Sequence, residues 1–414
     1  MKTIVKKYGG ATLADPEKIK QVAKSLSLCH QRGERLVVAV SAMGQTTNEL
    51  IQLAQQVSSK PKRRELDMLL STGERVSMAL LSLALNDLNC SAISFTGSQA
   101  GVLTDDSHSN ALIIEIKCPR VIEALDRNQV VILAGFQGVS PHTKEVTTLG
   151  RGGTDTTAVA MAAALKADHC EILKDVPGVF TADPKLCSTA KVLNSLTYQQ
   201  LLDMTFWGAK VLHYRSVELA NQKQIPLYIG PAHDSQSGTW ILNINTLTQN
   251  NLGPNSFDQD FNVQKTKTKE SSMYETTQIL SLNSHAEVLK VSLEGRNLSE
   301  GLEKLKEELN SKEIPFPQLL SMETSHLYLT GSQEVLNSIS KEIKNFSISK
   351  ERYCSVTATC TGASTPEIAN QITRKMSEIS LQPHRLWMSG MSCTLLLPIE
   401  QRQKALVQLH TLIG

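Results

Sequence analysis

Residues 149–164 read LGRGGTDTTAVAMAAA, one arginine inside a glycine run that passes directly into a small, apolar helix former. Gly150, Gly152 and Gly153 permit positive φ and close approach of a ligand to the backbone. Asp155 or Thr154 is expected as the helix N-cap, with Thr156 and Thr157 filling the first turn. A glycine loop feeding a helix N-terminus offers unpaired N–H groups and a partial positive charge, which suits an anion. Arg151 adds a planar fork for a carboxylate or phosphate. Taken alone, the stretch reads equally well as an ordinary loop-to-helix joint with a surface arginine.

Other polar words point to the same need, the handling of anions. KKYGG sets Lys7 just before Gly9 and Gly10, where a lysine reaches a phosphate that the glycines let approach. No G-x-x-x-x-G-K-[ST] loop occurs. SAMGQTTNEL supplies Ser41, Gly44 and Thr47 near a helix start, and STGERVS puts Glu74 in an expected first helical turn, where the dipole favours a carboxylate. KDVPGVFTADP (174–184) carries Asp175 and Asp183 around a turn, fit to grip a nucleotide with its metal, and WGAKVLH adds Lys210. Each has a plain alternative: a strand-edge lysine, a capping glutamate, a surface turn. The ten histidines show no metal-ligand spacing, and HExxH, a nucleophile elbow and a Cys–His pairing are all missing. Lysines, glycine amides, an arginine and aspartates suit phosphoryl transfer, where catalysis is mostly positioning and charge neutralisation. A carboxylate acceptor would account for the lack of a base, since it is already ionised.

The elements that must hold these words alternate. Strands are expected at 3–8, 35–41, 91–95, 129–135, 170–175 and 226–229, and helices at 16–31, 45–58, 73–88 and 155–167. Val- and Ile-rich strands spaced by helices read as an α/β domain with a mainly parallel sheet. Ligands in such sheets sit beyond the carboxyl ends of the strands, where these polar words fall. After residue 240 the composition turns polar, and 243–277 reads as a linker. From 278 onward, strand–helix–strand patterns occur twice, with Leu298, Leu302, Leu305 and Leu309 aligned on one helix and Ile368, Ile372, Met376 and Ile379 on another. Two α+β modules, 278–350 and 351–414, are expected after a catalytic domain of 1–242.

The bulk numbers set limits. With 42 basic and 40 acidic residues among 414, and a formal charge of +2, nothing calls for nucleic acid or an anionic membrane. Lys62, Arg63 and Arg64 read as a solvated helix start. Eight scattered cysteines without a C-x-x-C pair suit reduced thiols. The N-terminus lacks the apolar core of a signal peptide, and no stretch approaches the roughly 20 apolar residues of a membrane span. A cytoplasmic protein is expected.

With the words in order, the chain resembles the aspartate kinases of the amino acid kinase superfamily. The resemblance is carried by KYGGAT, VSAMGQTTNEL, STGERVS, SFTGSQAGVLTD, AGFQGV, TTLGRGGTDTTAVAMAAALKAD, DVPGVFTADP and GAKVLHYRSVELA, and the two C-terminal modules resemble ACT domains. It implies transfer of a phosphoryl group from ATP, with Mg2+ bridging its phosphates, to L-aspartate, giving 4-phospho-L-aspartate, the first step toward lysine, threonine and methionine. By that resemblance Lys7, Glu74 and Asp155 are catalytic. Ser41, Thr47, Glu74, Arg151, Gly152, Gly153 and Thr154 bind the amino acid. Lys7, Tyr8, Gly9, Gly10, Lys174, Asp175, Phe180, Thr181, Ala182, Asp183, Pro184, Lys185, Lys210 and Val211 surround the nucleotide, and no all-protein metal cage is implied.

The chain also departs from the pattern. Ala11–Thr12 stands for two hydroxyl residues, Thr154 for serine and Lys174 for a small hydroxyl residue; Pro177 is unusual in its turn. The loops GRNLSEGLEKL and GASTPEIANQI lack the Pro-Gly usual before an effector helix. A homodimer or higher oligomer through the ACT-like modules is implied, with an amino-acid effector whose lysine or threonine inhibition is altered or lost. The rival readings are a kinase of the same superfamily with another acceptor and a catalytically silent regulatory or amino-acid-sensing paralogue.

Overall fold

A computed structural model describes residues 1–232, 238–243, 277–312 and 314–413. Of the expected linker, 244–276 lie outside the described residues. The chain forms two compact units, neither a single stretch. The first holds Met1–Val179, Val192–Leu202 and the described residues from Lys210 to 243. The second holds Phe180–Lys191, Asp203–Ala209 and the described residues from 277 onward.

The first unit is built on an eight-stranded sheet. Its order is Ser195–Thr197, Thr239–Leu242, Leu227–Pro231, His169–Lys174, Thr3–Tyr8, Arg35–Val40, Val130–Ala134 and Ala92–Phe95. Every neighbouring pair runs parallel except Thr239–Leu242 against Leu227–Pro231. On one face Ile4, Tyr8, Leu36, Val38, Val40 and Ile132 pack against Ile19, Val22 and Leu26 of the helix Pro16–Gln31 and Met78, Leu81 and Leu85 of the helix Arg63–Asp87. Alternation along the strands sends Val5, Lys7 and Val37 to the other face. There lies the helix Gly153–Leu165, buried along most of its length, as its apolar run from Ala158 onward requires.

Two expectations about helices are corrected. The one expected from 73 begins at Arg63, because RRELDMLLST is made of good helix formers. Gly73 does not break it: a Cβ there would fall 2.8 Å from that of Ala42, so the glycine admits a close helix–loop approach. Glu74 therefore sits mid-helix, and the dipole argument for it falls. The second correction concerns membranes, since Arg63–Asp87 is long and apolar enough by composition to cross one, although half of its apolar window is packed inside the protein. A four-stranded sheet of Ile113–Ile116, Val102–Thr104, Gln137–Val139 and Val146–Thr148 was not expected; its strands are too short for a period to show.

The second unit has a seven-stranded antiparallel sheet. Its strand Ile279–Ser292 is long enough to pair with His326–Thr330 near one end and with Tyr353–Cys360 along the rest. Two cores follow. Leu289, Val291, Leu305, Leu309, Leu327 and Leu336 form one, and Leu282, Val356, Ile368, Ile372, Leu395 and Leu406 belong to the other. The two helices with aligned apolar positions are Leu298–Ser311, capped by Asn297, and Pro366–Glu378, capped by Thr365.

Candidate active site

Lys7 lies on the central strand Thr3–Tyr8, opposite Ala39 on one neighbour and Ile172 on the other. It is buried, and its ammonium meets Asp155 Oδ1 at 2.6 Å. The contact is close but poorly directed, for Oδ1 has no aligned hydrogen bond among the described residues. Lys6, one residue back, points to the other face and pairs with Glu171 at 2.7 Å. There burial opposes both charges, but the pairing outweighs it: Lys6 is raised and Glu171, with His169 also bonded to it, is lowered to about 2. Adjacent lysines thus have separate jobs, and only Lys7 faces the glycine-rich helix start.

That start differs from the expectation. Gly152, at φ +71°, is the N-cap with no side-chain cap, and the helix begins at Gly153. Asp155 is left in the first turn, free to pair with Lys7 rather than with the backbone. A Cβ on Gly152 would lie 2.2 Å from that of His213, so no other residue fits there. Thr156 donates to the Gly152 carbonyl and Thr157 to that of Gly153. A Cβ on Gly135, which follows the strand Val130–Ala134, would strike the Thr154 side chain at 2.4 Å. Arg151 is exposed, and its guanidinium makes no hydrogen bond or ion pair with the described residues.

Glu74 approaches through Ala42, whose N–H donates to Oε1 at 3.3 Å. The carboxyl is buried and Oε2 has no partner among the described residues. Burial raises its pKa to about 7, against the pull of the backbone N–H groups. Ala42 also borders the glycine turn, since a Cβ on Gly10 would lie 2.8 Å from its carbonyl oxygen. Gly9 lies under the Lys7 ammonium, 3.7 Å from where its Cβ would be. Ser41 donates its N–H to the Tyr8 carbonyl, and Thr47 sits in the first turn of the helix Thr46–Val57. Tyr8 turns its ring into the core, away from Lys7. Of the expected second hydroxyl at the first turn, Thr12 remains and donates to the Gly9 carbonyl.

Lys174 ends its strand beside Leu173, whose carbonyl accepts from Gly9 N–H. Its ammonium donates to the Val211 carbonyl. Burial lowers its pKa, Asp155 opposes that and Lys7 adds to it. The first unit thus gathers Lys7, Lys174 and Asp155 at the carboxyl edge of the parallel strands, two cations to one carboxylate. Asp175 and Lys210 are exposed nearby in sequence. Phe180, Thr181, Ala182, Asp183, Pro184 and Lys185 fall in the second unit. There Thr181 bonds to His410 at 2.9 Å, Ala182 enters a core, and Asp183 accepts from the Lys185 N–H.

Three residues escaped the sequence reading. His213 caps the helix Tyr214–Lys223 and lies against Gly152; burial and Arg215 lower its pKa. Arg215 donates to the carbonyls of Leu149 and Ala111 and to Asn110 Oδ1. Asp67 is completely buried beneath the loop that leads to Arg151. An aspartate on the buried stripe that includes Leu70 and Glu74 was the available signal for it.

Comparison with known proteins gives the family. Residues 2–231 match the amino acid kinase family. Aspartokinase from Mycobacterium tuberculosis is 51% identical over 242 residues, 58% of each chain. The chain thus spans under two thirds of the length of the curated relatives it matches. The aspartate kinase of Synechocystis is 31% identical with a TM-score of 0.54, covering 99% of this chain and 68% of that one. The structure of E. coli aspartokinase III in complex with aspartate and ADP shares the fold along the whole chain, at 20% identity, a TM-score of 0.75 and 99% coverage of both. The chain belongs to the amino acid kinase family, and its similarity within that family is to the aspartokinases.

Proposed function

We infer that the first unit transfers the γ-phosphoryl group of ATP to the side-chain carboxylate of L-aspartate, giving 4-phospho-L-aspartate and ADP. The observation that carries the reading is the buried Lys7–Asp155 pair beside Lys174, an excess of one positive charge at the strand ends, with Arg151 unpaired close by in sequence. Relatives about half identical over this unit are named aspartokinase, which supports the choice of acceptor.

In this reading Arg151 grips the α-carboxylate with a two-pronged fork. Glu74, once ionised, takes the ammonium, and Ser41, Thr47 and the Gly152–Gly153–Thr154 backbone line the rest. An oxygen of the side-chain carboxylate attacks the γ-phosphorus as the bond to the ADP oxygen breaks. No proton has to leave the nucleophile, so no general base is needed. Lys7 neutralises charge on the transferring group, and Asp155 holds its ammonium there until the phosphate arrives. Tyr8 through its backbone, Gly9, Gly10, Lys174, Asp175, Lys210 and Val211 take the nucleotide. Phe180 to Lys185 are assigned to it on the resemblance alone.

The residues fit a magnesium–nucleotide complex. Among the described residues no group of three His, Cys, Asp or Glu side chains could hold a metal alone, so an ion arriving with the nucleotide would be held mainly by phosphate oxygens, with Asp155, the carboxylate beside Lys7, able to contribute. Bound there, magnesium would neutralise phosphate charge.

The second unit is read as the part that forms a homodimer or higher oligomer and takes an amino-acid effector, with lysine or threonine inhibition altered or lost, and the protein as cytoplasmic. Trapping the acyl phosphate with hydroxylamine tests the activity: hydroxamate must form only with ATP and aspartate together. Activity with glutamate, acetylglutamate or a nucleoside monophosphate instead, or with no acceptor at all, would refute it.

A further inference from the structure

Asp67 stands on the same helix as Glu74, two turns before it, and is completely buried. Its Oδ1 accepts from the Thr148 hydroxyl at 2.5 Å and its Oδ2 from the Thr148 N–H at 3.2 Å. The Ser109 N–H lies 3.1 Å from both oxygens, and His108 Nδ1 lies 2.8 Å from Oδ2. Both chains so held flank the arginine loop. Thr148 ends the strand that leads into Leu149 and Gly150, and Gly150 is pressed on the other chain, its would-be Cβ 2.9 Å from Ser109 O and Asn110 Oδ1. Arg215 ties the same two chains through Leu149, Asn110 and Ala111.

An apolar side chain would leave the Thr148 and Ser109 N–H groups without this acceptor, so the carboxylate is what joins the two segments to the helix. Its bonds run from the helix of Glu74 to the loop of Arg151. We propose that Asp67 is a positioning residue for the amino-acid substrate: it sets the separation of Arg151 and Glu74, so that the α-carboxylate and ammonium of one small amino acid are read together. This rests on the reading of the site given above. Lys7 is fixed by its own central strand, which Asp67 does not touch, so the nucleotide side should sense the loss less than the amino-acid side, although the glycine turn meets Ala42 and Asp155 continues from the arginine loop.

The test is steady-state kinetics of the full chain with Asp67→Asn, Thr148→Val and the double variant, varying aspartate and ATP separately. Loss of charge-assisted hydrogen bonds of this kind should raise KM for aspartate about ten- to a hundredfold in Asp67→Asn, with KM for ATP held within about twofold. Thr148→Val, which removes one bond, should move the same way by less, and the double variant should match Asp67→Asn, because the two share one interaction. If Asp67→Asn does not fold, Thr148→Val decides: an unchanged KM for aspartate overturns the proposal. So does a parallel rise in both KM values, the mark of a general structural role. A wild-type chain inactive with aspartate would instead sink the substrate assignment and this proposal with it, an outcome set apart from an active wild type with indifferent variants.

Discussion

Replacing Glu74 by Gln keeps the shape of the side chain and removes one proton site, so a difference in pH behaviour between the two proteins isolates that carboxyl. The group titrates ordinarily at 4.5, and its burial raises it to about 7. That gap corresponds to roughly 3 kcal/mol of preference for the protonated form in the folded protein, at about 1.4 kcal/mol for each factor of ten. The sign follows from where the proton sits. Between pH 4.5 and about 7 the unfolded chain has released it and the folded chain still holds it, so stability falls as pH rises across that window and levels off above it. Below pH 4.5 both forms are protonated and the full benefit is present. Urea denaturation at pH 5 and pH 8 should therefore show wild type losing roughly 2–3 kcal/mol more than Glu74→Gln between the two. Aspartate adds a second signature, because its ammonium needs the carboxylate: affinity should improve as pH rises through about 7 in wild type and stay flat in Glu74→Gln. Parallel stability curves for the two proteins would refute the burial argument, and parallel binding curves would remove Glu74 from the amino-acid site.

Other substitutions read the remaining charges. Lys7→Met should lower kcat far more than it weakens aspartate binding, and leaving Asp155 buried without its cation should cost about 3–5 kcal/mol of stability, seen as a lower Tm. Arg151→Ala should mainly raise KM for aspartate with Tm nearly unchanged, since the guanidinium is exposed. Lys174→Met should weaken ADP in calorimetry about tenfold while leaving aspartate binding alone. Gly152→Ala forces a left-handed alanine with its Cβ against His213, and should abolish tight aspartate binding and lower Tm.

The parts of this fold that repeat were legible. Strands such as Thr3–Tyr8 and helices such as Pro16–Gln31 follow from residue type and spacing, and the ends of the parallel strands then say where polar words must meet. Lys7, Gly9, Glu74 and Arg151 are singled out by residue type beside glycine turns or an expected helix start, each with a plain structural alternative, whereas the role given to Asp155 comes from the family resemblance. What stayed hidden depends on partners remote in the chain. Asp67 draws its donors from residues 108–109 and 148, and nothing local announces them. Glu74 looked like a first-turn residue because Ser71, Thr72 and Gly73 read as a boundary; the close approach of Ala42, which makes Gly73 necessary, is tertiary. The N-cap is Gly152 rather than Asp155, whose carboxylate instead meets Lys7, 148 residues back in the chain (155 − 7).

The second unit takes two short segments from the middle of the chain, and this bears on how such proteins can be recombined. Ala182 and Cys187 sit in a core with Leu282 and Val356, and Asp203 accepts hydrogen bonds from Thr359 and Ser392. A chimera joined at one point after residue 243 would part those side chains from the strands selected alongside them. Exchanging the second unit between relatives therefore calls for three grafts, 180–191 and 203–209 travelling with everything from 277 onward. Single-crossover hybrids should misfold in proportion to how much these two inserts differ between the parents.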